Sequence, residues 1–143
     1  MSGHLSLMNK LKAGILTLAA VAGLGVAVPS TAQAANGCKT GGHAYMCEFG
    51  VTTKVLPDGT KQVFLVDAAD RSVWTRWTDS DGDWSRWVSM GGVAMSAVQT
   101  TVWDNSRPWE FSIHVIGRDG YGWFRERGAD GSWSDWARNR DPR

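Results

Sequence analysis

The chain has 143 residues, nine of them tryptophan and two cysteine, with a formal net charge of +1. That balance lacks the clustered basic excess that phosphate recognition needs, so no nucleic-acid partner is expected. Repeated tryptophan in a near-neutral chain points instead to packed β structure and to ligands that stack on aromatic faces.

Residues 1–34 read as a secretory signal peptide: Lys10 and Lys12 precede an apolar run from Ala13 to Val28, and Ala32-Gln33-Ala34 supplies the cleavage triplet. The run is short for a membrane span, which needs about 20 residues. A lipid-anchor signal is not matched either, because Ala35-Asn36-Gly37-Cys38 lacks an aliphatic residue three places before the cysteine. The expected product is secreted and extracellular, with no membrane anchor. Loss of the two lysines takes the charge from +1 to −1.

Residues 35–50 form an N-terminal segment holding both cysteines, Cys38 and Cys47. In an oxidising compartment they are expected to pair as a disulfide, adding about 2 kcal/mol over so short a loop. His43 lies between them, yet Cys38, His43 and Cys47 fall short of the four ligands of a structural zinc site, so no metal and no cofactor are expected.

The rest is a duplication. Gln62 to Trp87 matches Phe111 to Trp136 at a constant offset of 49 without a gap, and the nine identical pairs include Trp74/Trp123, Arg76/Arg125, Trp84/Trp133 and Trp87/Trp136. Strands are predicted at Gln62 to Asp67 and Val73 to Thr78, and again at Phe111 to Ile116 and Gly122 to Arg127. Asp81-Gly82 and Asp130-Gly131 suit tight hairpin turns. A third strand is expected to begin at Trp84 or Trp133, and Val51 to Leu56 and Val98 to Trp103 stand in matching places for a further one. Residues 51–92 and 93–143 are thus two four-stranded antiparallel units. A period in the forties with recurrent Trp suggests propeller-like blades, with a small β-sandwich as the alternative. Two blades do not close a propeller, so a ring completed by oligomerisation is expected.

The elements Val73-Trp74-Thr75-Arg76-Trp77, Trp84-Ser85-Arg86-Trp87 and Trp133-Ser134-Asp135-Trp136 resemble the repeat of the Photorhabdus-lectin-like and tectonin-type β-propellers. The resemblance implies a lectin that holds sugars in clefts on or between blades. Fucose binders with similar repeats use an Arg and a Glu on the inner strands; here Leu65 and His114 stand near the first place, and only Glu126 approaches the second.

Along a strand, side chains alternate, so Trp74 shares a face with Arg76, and Trp123 with Arg125. Trp beside Arg offers a stacking face and hydroxyl donors to a sugar. The candidate ligand residues are Trp74, Arg76, Trp84, Trp123, Arg125, Glu126, Trp133 and the non-repeated Trp103 and Trp109; packing of the Trp between sheets, with Arg over them, is the competing role. Trp84 and Trp87, three apart, are expected to face opposite ways. No nucleophile or calcium-loop spacing is present, and Asp79-Ser80-Asp81-Gly82-Asp83 reads as a turn. The expected function is that of a secreted, lectin-like carbohydrate-binding protein, not an enzyme; the alternatives are a secreted protein-interaction module or inhibitor and, third, an exported hydrolase.

Overall fold

The computed structural model describes residues 37–142, so the expected signal peptide lies outside the described residues. Those residues are all-β, with no helix. Ten strands follow in chain order: β1 Lys39–Thr40, β2 His43–Ala44, β3 Thr52–Val55, β4 Lys61–Val66, β5 Val73–Trp77, β6 Val88–Gly91, β7 Gln99–Thr101, β8 Phe111–Ile116, β9 Tyr121–Arg127 and β10 Ala137–Pro142. Strands β3 to β6 form one antiparallel meander and β7 to β10 another, while β1 and β2 form a two-stranded hairpin. No described helix is long and apolar enough to cross a membrane.

Val, Ile and Phe in β4 and β8 suit a pleated surface buried on at least one side. From Gln62 to Val66, β4 is buried on both faces. Phe64, Val66 and Val73 point into a core shared with Phe111, Ile113 and Val115 of the second sheet. Phe64 is fully buried and meets Phe111 and Trp133 edge-on, at 6.3 and 5.9 Å between ring centroids. Burial of one such ring contributes roughly 2–3 kcal/mol.

Strand register corrects the ungapped match. Phe64 pairs with Thr75, whereas Phe124, the counterpart of Thr75 at offset 49, pairs with His114. Phe64 therefore corresponds to His114, and β4 to β8, at an offset of 50. The extra residue sits in the connection between the strands, which runs from Asp67 to Ser72 in the first copy and from Gly117 to Tyr121, the counterpart of Ser72, in the second. Arg71 and Gly120 close these connections with φ of 63° and 81°. Since a one-residue slip exchanges the faces of a strand, the correction decides which sides meet. The Phe64 face of the first sheet packs on the Ile113, Val115 and Trp123 face of the second. Ile113 and Val115 correspond to Val63 and Leu65, which lie on the opposite face of β4. The copies therefore stack front to back.

Two smaller expectations also change. Trp84 and Trp133 do not begin strands; each makes an isolated bridge, to Thr78 and Arg127, and the outer strands start four residues later. Trp84 and Trp87 both lie against Arg76, at 4.3 and 4.8 Å from its guanidinium, because the register shifts by one residue between the Thr78–Trp84 bridge and the Thr75–Val88 pair.

Candidate functional site

Cys38 and Cys47 form a disulfide with 5.4 Å between Cα atoms, which also removes both thiolates from any metal set. The hairpin they close lies over the Trp74–Arg76 face of the first sheet. His43 sits 4.6 Å from Trp74 and 5.4 Å from Trp87, and its Nε2 is 2.7 Å from Asp67 Oδ1. The Trp87 indole donates to the Gly41 carbonyl at 3.1 Å. Gly41 has φ of 52°, and a Cβ there would lie 2.3 Å from the Arg76 guanidinium. Arg76 is thus enclosed by Trp84, Trp87 and the Gly41 backbone, and its buried Nε has no hydrogen-bond partner. Trp74 donates to Ser72 Oγ at 2.8 Å.

The second copy grips backbone in the same way. Arg125 and Trp136 both donate to the Met90 carbonyl, at 3.0 and 2.7 Å. A Cβ on Gly92, whose φ is 73°, would meet Trp136 at 3.1 Å. The acceptors Gly41 and Met90 correspond at an offset of 49, so the segment from Gly41 to Met46 does for the first sheet what Met90 to Met95 does for the second. Met46 N–H and Met95 N–H complete the likeness, bonding to the carbonyls of the counterparts Val66 and Ile116 at 2.9 and 2.7 Å. Trp123 donates to Asp119 Oδ1 at 3.0 Å, which holds that carboxyl below its ordinary range.

Between the two sheets opens a cleft of about 580 Å³. Thr75 and Trp77 reach it from β5, Arg125 and Arg127 from β9, and Trp109 and Trp133 from the connections. Trp77 is 41% exposed. Gln62, buried at its floor, donates to Thr75 Oγ1 at 3.1 Å. Arg127 donates to the Trp109 carbonyl at 2.8 Å and lies over the Phe111 ring; burial pushes its pKa, and that of Arg125, down. At the rim, the Ser132 hydroxyl and N–H hold the Asp130 carboxyl below its usual range, and Thr60 does the same for Asp58.

Trp133, Trp109 and Arg125 thus meet in one cleft, and Trp74, Arg76 and Trp84 gather under or beside the hairpin. Trp103 and Glu126 lie on the outer side of the second sheet. Trp103 is 69% exposed, yet its indole is fixed by a 2.7 Å bond to Ser112 Oγ. Ser112 shares a 2.8 Å hydrogen bond with His114 but is fully buried, so it anchors Trp103 and does not face solvent as a nucleophile. Trp77, Gln62 and Arg127 were missed: none is repeated, their offset-49 or offset-50 counterparts being Glu126, Ser112 and Thr78, and none carries a motif of its own. Asp79, Asp81 and Asp83 bring carboxylate oxygens within 4.8 Å of one another, with Asp79 Oδ1 accepting the N–H groups of Asp81 and Asp83, as a turn requires. No family model matches the chain, and no curated protein matches it in sequence.

Proposed function

We propose that the chain is a secreted glycan-binding protein and that the sugar lies in the cleft between its two sheets. One observation carries the reading: Trp77, Trp109 and Trp133 converge there from both sheets, beside the polar groups of Gln62, Thr75 and Arg127. A sugar ring presents C–H patches to aromatic faces and hydroxyls to fixed donors and acceptors, and such a wall offers both. The resemblance to lectin-like propeller repeats belongs to the same proposal.

In this reading the sheets are propeller-like blades, and further copies of the chain add to them as a homo-oligomer. Front-to-back stacking supports it. Ser112, His114 and Phe124 correspond to Gln62, Phe64 and Thr75, so the second sheet presents outward the face with which the first receives its neighbour.

A glycan array with disulfide-intact protein tests the binding claim. Specific signal, competed by free sugar and weakened about tenfold or more by Trp77→Ala, is expected from the loss of one stacking platform. Retention of a protein from culture supernatant that free sugars cannot displace would favour the protein-interaction alternative. Light scattering tests the assembly claim, which a strict monomer would overturn.

A further inference from the structure

We infer that the cleft is the middle of a longer groove, built for an internal stretch of a linear, uncharged polysaccharide and not for a single terminal sugar. The inference rests on the glycan-binding reading and goes further by naming the ligand class. Three concavities share walls. The central cleft of about 580 Å³ has Thr60, Thr78 and Asp79 in common with a second hollow of about 420 Å³, to which Trp84 belongs. It has Arg127 and Trp133 in common with a third, of about 660 Å³, to which Trp103 belongs.

Aromatic faces occur in all three. Trp84 is 43% exposed, Trp77 41% and Trp103 69%; they stand behind the first sheet, between the sheets and outside the second, and the hollows join past the strand ends at Thr60, Thr78 and Arg127. Each outer platform is held in place: Trp84 by Arg76 at 4.3 Å, and Trp103 by its bond to Ser112 and an edge contact with His114 at 5.9 Å. Exposed rings that are held rigid lose little entropy when a ligand stacks on them. A terminal-sugar site needs one enclosed pocket, whereas an open run of platforms fits successive units of a chain.

The charges along the groove are largely engaged. Asp58, Asp104 and Asp130 each accept the hydroxyl of the Thr or Ser two residues on, at 2.6 Å. Arg107 pairs with Glu110 at 3.1 Å, and Arg127 with backbone carbonyls. The hydroxyl donors keep these carboxylates ionised, so together with the exposed Glu126 they repel an acidic polymer, and the groove suits a chain without acidic groups.

The test uses disulfide-intact protein with cellulose, chitin, β-1,3-glucan and mannan, followed by calorimetry with oligosaccharides of one to six units from whichever polymer retains it. Affinity is expected to rise about 100-fold or more between disaccharide and hexasaccharide, as added platforms are engaged. Trp84→Ala and Trp103→Ala, both at exposed rings, are each expected to lower hexasaccharide affinity about tenfold while leaving disaccharide affinity unchanged. A monosaccharide bound as tightly as the hexasaccharide overturns the groove but leaves glycan binding standing. Preference for an acidic polysaccharide overturns the uncharged class. Absence of binding to every sugar and polymer removes the glycan-binding reading itself. Unchanged tryptophan fluorescence and circular dichroism establish that the variants are folded.

Discussion

The two sheets use one repeated device on different partners. In the second, Arg125 and Trp136 close on the carbonyl of Met90, part of the strand that leads directly into that sheet. In the first, Trp87 and Arg76 close on Gly41, at the tip of a hairpin pinned by a disulfide. Trp-x-Arg with a later Trp is therefore primarily a grip on backbone at a Gly-Gly pair, and the cleft is walled by repeated and non-repeated side chains together. Trp133 and Arg125, which are repeated, line it beside Trp77 and Arg127, which are not.

Breaking the shared core sets the scale for the comparison. Phe64→Ala removes a fully buried ring that touches both sheets, and a loss of about 4 kcal/mol is expected in urea unfolding. Since domains have only about 5–15 kcal/mol in total, both sheets should lose hydrogen-exchange protection together.

Removing the disulfide, as Cys38→Ser with Cys47→Ser, separates them. A smaller loss of about 2–3 kcal/mol is expected for so short a loop, with protection falling in β3 to β6 while β8 and β9 keep theirs. Equal loss in both sheets would show that the hairpin is not a local cover.

Gly41→Ala sharpens the test at one atom. The new methyl meets a guanidinium confined by Trp84 and Trp87, whereas a methyl at Gly42, with φ of 78°, has nothing within 4 Å. Both variants carry the backbone cost of about 1 kcal/mol. Only Gly41→Ala is expected to shift tryptophan fluorescence, through displaced Arg76.

The smallest effect is shared by the two sheets. Hydrogen bonds from the Thr or Ser two residues on hold Asp58 and Asp70 in one copy, and Asp104 and Asp130 in the other, below the ordinary value of 3.8. A folded pKa below the unfolded one contributes stability that is present above 3.8 and disappears as pH falls through the folded value. Urea midpoints should therefore hold steady down to about pH 4 and decline gradually below it.

Much of this was legible in the sequence. The Asp-Gly turns, the cysteine pair and every strand segment but the last of each copy appear where the sequence places them, and the offset of 49 holds from Asp70 onward. It failed in β4, where only Val66 and Val115 were identical; one valine match in a strand rich in valine cannot locate a one-residue slip. Opposed faces for Trp84 and Trp87 also failed, because a one-residue register shift between them breaks the alternation. The likeness of Gly41 to Met46 and Met90 to Met95 went unseen since only Gly42/Gly91 and Met46/Met95 are identical there, and backbone carbonyls and N–H groups do the work. The cleft was invisible because its walls come from opposite faces of two sheets, and only the register says which faces meet.

The hairpin gives the molecule a direction. Front-to-back stacking has no inherent end, but here one end carries a covalently tied stopper that imitates the edge of a neighbouring sheet, while among the described residues no hairpin covers the other. A copy added there, as the proposed assembly requires, would arrive with its own stopper already in place. Such a joint between copies would have to be built differently from the joint within one.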